Sequence, residues 1–141
     1  MKCRIVRNQD DYKYVSSLYN PKNTKFLLFK KMTAKKIEKM ANKNFRYMYI
    51  VELGNKKLGS FSLRRMSGKK EFSFGMVIDY SKQGLGYGQK ALGLIEREAK
   101  KLGCKKLILE VDAKNLPAIH IYKKARFKLK SNMIAMCKSI K

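Results

Sequence analysis

The chain has 141 residues, of which 34 are Lys or Arg and 10 are Asp or Glu, so its formal net charge is +24. The length fits one domain over residues 1–141, and hydrophobic residues, at 45%, suffice for a sizeable core. No apolar run approaches the roughly 20 residues that cross a bilayer, and no apolar leader opens the sequence. We therefore expect a cytoplasmic protein without a membrane segment.

The first half of the chain predicts two helices among three strands. Strands are predicted over Lys2 to Val6, Arg46 to Glu52 and Leu58 to Arg65, and helices over Asp10 to Tyr19 and Thr33 to Ala41. Thr33 is a typical N-cap residue. Turns are predicted at Asn20 to Asn23, Gly54 to Lys57 and Ser67 to Lys70, where Gly, Pro, Asn and Lys cluster.

The second half predicts alternating strands and helices. Strands are predicted over Glu71 to Ile78, Leu107 to Val111, Lys128 to Lys130 and Met133 to Lys138. One helix is predicted over Gln89 to Leu102, because Leu92, Ile95 and Ala99 recur on one face, and a second begins near Asn115. The predicted order is β-α-α-β-β-β-α-β-α-β-β, with three antiparallel strands before a glycine-rich loop.

The three cysteines and the basic net charge indicate which metals, anions or nucleic acids the protein could bind. Cys3, Cys104 and Cys137 show no metal-ligand spacing, so we expect reduced thiols and no metal. A positive field attracts anions, including small phosphates and nucleic acid. Because the lysines are spread along the chain and no base-reading motif is visible, specific nucleic-acid recognition is the weaker interpretation.

The glycine-rich loop predicts a phosphate site. Gly84, Gly86 and Gly88 lie between a strand and a helix, where backbone N–H groups and the helix dipole favour an anion. The dinucleotide pattern G-x-G-x-x-G would need glycine where Gln89 stands, and the nucleoside triphosphatase pattern is absent. The spacing that fits is Gln-x-x-Gly-x-Gly, which starts at Gln83.

A second segment makes the pattern more specific. Asn115, Ala118 and Tyr122 form Asn-x-x-Ala-x-x-x-Tyr, and Phe127 follows five residues after the tyrosine. Together with the glycine loop, this segment resembles the GNAT superfamily of acetyl-CoA-dependent N-acetyltransferases. The resemblance covers Phe72 to Phe127 well. It implies a mixed α/β sheet of the GNAT fold and acetyl-CoA as co-substrate.

The resemblance also implies cofactor-binding residues. The loop would hold the pyrophosphate of coenzyme A, and the strand before it would part from its neighbour to admit pantetheine. Backbone groups near Met76 and Ile78 would then pair with pantetheine and polarise the thioester, and Asn115 would contact the cofactor or cap its helix. The implied loop residues are Gln83, Gly84, Leu85, Gly86, Tyr87, Gly88 and Gln89.

The implied reaction is acetyl transfer to a primary amine by direct attack on the thioester. Tyr122 is the candidate general acid, since a phenol with a pKa near 10 can protonate a thiolate at neutral pH. Glu71 is the best-placed candidate base by analogy, and Glu52 is the second; a strand-end surface charge is the plain alternative for both. His120 lies two residues before Tyr122, so on a helix it points elsewhere.

The acceptor is open at this stage. The substrate half of the chain is poor in carboxylates, so a small molecule or peptide that is not polycationic fits better than a polyamine. A basic, tRNA-directed module on the same fold and an acyl-CoA-binding protein without catalysis are the alternative functions. An RNA contact through the basic surface stays open, as does the choice between monomer and homodimer.

Overall fold

The computed structural model describes residues 1–27, 30–67, 70–129 and 135–140. Within them, a seven-stranded sheet has the strand order β1-β2-β3-β4-β5-β7-β6. The strands are β1 (Lys2–Ile5), β2 (Arg46–Leu53), β3 (Lys56–Arg65), β4 (Glu71–Ile78), β5 (Lys106–Glu110), β6 (Lys128–Leu129) and β7 (Ala135–Ser139). The helices are α1 (Gln9–Ser17), α2 (Ala34–Ala41), α3 (Tyr87–Lys101) and α4 (Leu116–Lys124), with a 3-10 turn at Tyr80–Lys82. This order confirms the predicted mixed α/β fold.

Side-chain caps start three of the helices, as their sequences favour. The Thr33 hydroxyl accepts a hydrogen bond from Lys36 N–H at 3.1 Å, which confirms the predicted cap of α2. Asn8 caps α1 in the same way, and Asn115 caps α4. Helix α3 instead begins directly at the glycine loop, at Tyr87, two residues before the predicted start.

The predicted first hairpin turn was too long. Lys56 and Lys57 belong to β3, where they pair with Leu53 and Glu52, so the turn is Gly54-Asn55. Some predicted positions lie outside the described residues: Gly68 and Lys69 of the second turn, and Lys130, Met133 and Ile134 at the ends of the last two strands.

The two faces of the sheet carry separate cores. One core lies against α3 and α4 and includes Phe72, Phe74 and Tyr122. The other lies between the sheet and helices α1 and α2, and includes Met48 and Ile50. Because side chains alternate along a strand, β2 contributes to both cores. The sheet thus separates two hydrophobic cores.

Candidate active site

Strands β4 and β5 part from each other partway along β4. They run parallel and pair at three positions only in the described residues: Glu71 with Lys106, Phe72 with Leu107, and Ser73 with Ile108. Strand β4 continues to Ile78 without β5 as a neighbour. This leaves a gap beside the second half of β4, as the resemblance implied.

The ladder between β3 and β4 determines which backbone groups face this gap. Asp79 N–H donates to the Leu58 carbonyl at 2.9 Å, and Asp79 lies directly opposite Leu58 when the β3–β4 register is extended by one residue. Opposed residues of antiparallel strands alternate between hydrogen-bonded and non-bonded pairs. The N–H and C=O groups of Met76 and Ile78 therefore point away from β3, into the gap.

The loop after β4 is exposed to solvent, and its backbone turns sharply. Gly84 and Gly86 have φ angles of +78° and +82°, a region that side chains disfavour. Leu85 between them is 61% exposed. The Gln83 side-chain amide donates to the Ile78 carbonyl at 2.9 Å, so it ties the loop to the end of β4.

The start of α3 presents unpaired backbone donors. Lys90 N–H makes the helix-opening hydrogen bond, to the Gly86 carbonyl at 3.3 Å. The N–H groups of Tyr87, Gly88 and Gln89 precede it and have no helical partner. These donors and the positive end of the helix dipole favour a negatively charged group at the loop.

Gly88 is where the loop, β4 and α4 meet. A Cβ placed on Gly88 would lie 3.4 Å from Ile121 Cδ1 and 4.0 Å from Met76 Cε. Tyr87 beside it is half-buried against the core. The close fit brings the glycine loop next to the helix that carries Tyr122.

Tyr122 is buried among aromatic rings. Its ring centroid lies 6.1 Å from that of Phe74 and 5.9 Å from that of Phe127, both in edge-to-face geometry. The ring is 9% exposed, and desolvation raises the pKa of its hydroxyl to about 12. This pKa keeps the hydroxyl protonated at neutral pH. Within the described residues the hydroxyl makes no hydrogen bond, so its proton is available for transfer.

The other predicted polar residues lie at different places. Asn115 Oδ1 accepts from Ala118 N–H at 3.3 Å as a helix cap, and its amide N–H groups make no hydrogen bond to the described residues. His120 is exposed on α4. Glu52 forms an ion pair with Arg4 at 3.4 Å, away from the gap.

Glu71 lies at the opposite end of β4 from the glycine loop. Five residues separate it from Met76, about 16 Å of extended strand. Its side chain shares a sheet face with Ser73 and Gly75, because residues two apart point the same way. The structure therefore does not bring Glu71 together with the loop residues.

A cavity of about 340 Å³ lies on the α1–α2 face of the sheet. Its floor includes Phe74, Gly75, Met76 and Val77, the part of β4 that borders the gap. Apolar walls come from the helices, the segment between them, and strands β2 and β3: Val15, Leu18, Leu27, Met32, Met40, Met48 and Phe61. The cavity thus reaches the gap from the face opposite α3.

Polar groups in this cavity are basic or neutral. Lys36, Arg46 and Arg64 contribute to its lining, together with three serines and Tyr19. None of the ten Asp and Glu residues, all of which lie in the described ranges, lines it. The sequence analysis missed the two arginines as site residues, although their alternation with Met48 and Ser62 on two adjacent predicted strands was a usable signal.

The fold is similar to those of several proteins of known structure. A spermidine N-acetyltransferase from Vibrio cholerae, solved with CoA and spermine, is 17% identical, with a TM-score of 0.84 over 99% of this chain and 96% of that one. An N-acetyltransferase from Staphylococcus aureus is 18% identical, with a TM-score of 0.78 over 100% of both chains. YncA of Salmonella typhimurium, solved with its cofactor acetyl-CoA, is 13% identical, with a TM-score of 0.78 over 100% of this chain and 95% of that one.

At the sequence level, the pattern of the acetyltransferase (GNAT) family matches residues 12–127. The chain belongs to the GNAT acetyltransferase family, which confirms the resemblance given by its two motifs. No curated protein matches the chain. No helix in the described ranges has the length and apolar character needed to cross a membrane.

Proposed function

We propose that the protein transfers an acetyl group from acetyl-CoA to a primary amine of a small molecule or peptide. Membership of the GNAT family supports acyl transfer in general. The neighbours solved with CoA and with acetyl-CoA support the choice of donor. The observation that carries the proposal is the gap beside β4, with free backbone groups on one side and an anion-binding loop at its end.

The loop residues would hold the pyrophosphate of coenzyme A. Tight curling at Gly84 and Gly86 exposes the N–H groups that precede the α3 ladder, and a pyrophosphate needs such donors. Gln83 keeps the loop against β4, because its amide is bound to the Ile78 carbonyl. Leu85 is exposed at the loop tip, where it would shield the phosphates, and the exposed Gln89 side chain would contact them.

Pantetheine would lie along the second half of β4. The N–H groups of Met76 and Ile78 face this side, whereas the Ile78 carbonyl is already occupied by Gln83. The amide N–H groups of Asn115 are free to contact the cofactor while its oxygen caps α4. Tyr87, at the base of the loop, would pack over the phosphates.

In the proposed reaction the acceptor nitrogen forms a bond to the thioester carbonyl carbon, and the carbon–sulfur bond breaks. Met76 N–H would stabilise the negative charge that develops on the carbonyl oxygen, a role worth about 10²–10³ in rate. The Tyr122 hydroxyl would give its proton to the departing sulfur as negative charge develops there, since desolvation keeps the hydroxyl protonated until then. The amine gives up its own proton to water, because no carboxylate lines the cavity and Glu71, the base that the resemblance implies, lies about 16 Å along β4 from Met76.

Charge supports an acceptor that is not polycationic. A spermine-like cation would need carboxylates around it, and none lines the cavity of this chain. The Vibrio cholerae neighbour was solved with spermine, so the two proteins would differ in acceptor although they share a fold. We therefore expect the protein to act on a smaller amine that is neutral or anionic.

Calorimetric titration with acetyl-CoA at physiological salt tests the proposal. We expect micromolar binding that the double change Gly86→Glu, Gly88→Glu abolishes, because two carboxylates would occupy the anion site. Gly93→Ala is the matched control, since a Cβ there meets nothing within 4 Å and lies on α3 outside the loop. Binding that survives the double change would rule out the loop as the coenzyme A site.

A further inference from the structure

Two arginines face each other in the cavity without a compensating carboxylate. Arg46 on β2 is directly opposite Arg64 on β3, and both line the cavity. Like charges directly opposite each other across a sheet are destabilising. In the described part of the chain neither forms an ion pair, and Arg64 contacts only Ser73 Oγ at 3.4 Å and Met66 Sδ at 3.5 Å.

Partial burial makes the charge of Arg46 more costly, whereas Arg64 is exposed. Arg46 is half-buried, and its guanidinium makes no hydrogen bond within the described ranges. Desolvation and the charge of Arg64 both lower the pKa of Arg46 below its usual range. A guanidinium fork in this setting matches a bidentate anion, because two parallel N–H groups meet two oxygens.

We propose that Arg46 and Arg64 bind the carboxylate of the acceptor, and that this acceptor is an apolar amino acid or short peptide with a free α-amine. This inference rests on the proposed acetyl transfer and specifies its substrate. The carboxylate sits between the guanidinium groups, and the apolar body lies against Leu18, Met32 and Met48.

The distance along the sheet suits such a molecule. Arg64 is paired with Ser73, and Ser73 lies three residues, about 10 Å, before Met76 on β4. Arg46, Arg64 and Met76 line the same cavity, so a carboxylate held by the arginines leaves the amine of a short ligand within the cavity that borders the gap. The cavity volume of 340 Å³ is at the small end for ligand sites.

The absence of a carboxylate in the lining fits the same acceptor. The α-amino group of a peptide, with a pKa near 7.7–8.0, is neutral in about one molecule in ten at pH 7, whereas a lysine amine is almost fully charged. The nearby positive charges of Lys36, Arg46 and Arg64 disfavour the ammonium form further. The cavity therefore needs little help from a base if the acceptor is an α-amine.

The test compares leucyl-alanine with its C-terminal amide, which differs only in the carboxylate. Calorimetric affinities are measured with the protein alone and saturated with CoA, and turnover is measured with acetyl-CoA. We expect the acid to bind and react about ten- to a hundredfold better than the amide. Arg46→Gln should remove this preference, whereas Arg7→Gln removes an exposed charge elsewhere and should preserve the preference.

Arg46→Gln relieves a repulsion, so we expect it to melt no lower than the parent protein; Arg64→Gln, at an exposed position, is the second variant. Equal affinities for acid and amide would overturn the inference, and so would a preference that survives both variants. Tighter binding of a phosphonate analogue would overturn the assignment to a carboxylate. Failure of acetyl-CoA to bind while the acid preference persists would instead count against the proposed acetyl transfer.

Discussion

Gly59 of β3 is the position where one added methyl group would disturb the gap most directly. A Cβ there would lie 2.2 Å from the Val77 carbonyl oxygen and 2.9 Å from Ile78 Cα. Both are backbone atoms of β4, so no side-chain rotation relieves the contact. Gly59→Ala must therefore push the end of β4 away from β3.

The size of this effect follows from the distances. The Val77 oxygen must retreat from 2.2 Å to at least 3.0 Å, the closest approach of real Cβ atoms. Overpacking of this kind costs about 1–3 kcal/mol in the free energy of unfolding. It also displaces Ile78, whose N–H we propose for pantetheine, and a misplacement of about 1 Å can cost roughly 10²-fold in rate.

Urea denaturation and acetyl-CoA calorimetry measure the two consequences of Gly59→Ala. We expect a lower midpoint and a loss of affinity together. Gly93→Ala is the control, because its Cβ meets nothing and helix propensity should raise stability by up to about 1 kcal/mol. Unchanged stability and affinity in Gly59→Ala would refute the close contact between β3 and β4.

Three further predictions concern single side chains. Tyr122→Phe should lower kcat by about 10²–10⁴-fold, in steady-state assays, without changing acetyl-CoA affinity; Tyr49→Phe, another buried tyrosine whose pKa is raised to about 12, is the control and should keep its rate. Because burial raises the pKa of Tyr122 from about 10 to about 12, stability should fall by about 1.4 kcal/mol per pH unit between these values, and Tyr122→Phe should reduce that slope. Asp11→Asn should destabilise by about 3 kcal/mol in urea, because Arg4 donates two hydrogen bonds of 2.8 Å to the Asp11 carboxylate and would lose a buried partner. The same contacts lower the pKa of Asp11, so the parent protein should lose this stability as the pH falls below about 4, and a flat acid profile in the parent would contradict the assignment.

Local sequence patterns were sufficient to predict most of the fold. Strand β4 has the predicted bounds, Glu71–Ile78, because an apolar run between two turn segments identifies a buried strand. The Thr33 cap and the helix start at Asn115 were likewise readable, since each depends on neighbours within three residues. The first hairpin was misjudged because pairing with β2 overrode the polar composition of Lys56 and Lys57.

The parts of the site that depend on how strands pair could not be predicted from the sequence. Arg46 and Arg64 meet only because β2 and β3 pair at that offset, and a shift of one residue would turn one of them to the other face. Glu71 was placed near the reacting groups by analogy, whereas strand geometry places it about 16 Å from Met76. The hydrogen bonds between the Arg4 and Asp11 side chains join β1 to α1, and no local sequence pattern predicts them.

The two cores on opposite faces of the sheet give the molecule a modular construction. Strand β2 alternates between them, with Tyr49 and Val51 on the α3 side and Met48 and Ile50 on the α1–α2 side. Substitutions in the two cores share few partners, so their effects on stability should add. Evolution or a directed library can therefore remodel α1, α2 and the cavity for a new amine while the half proposed to bind the donor keeps its sequence.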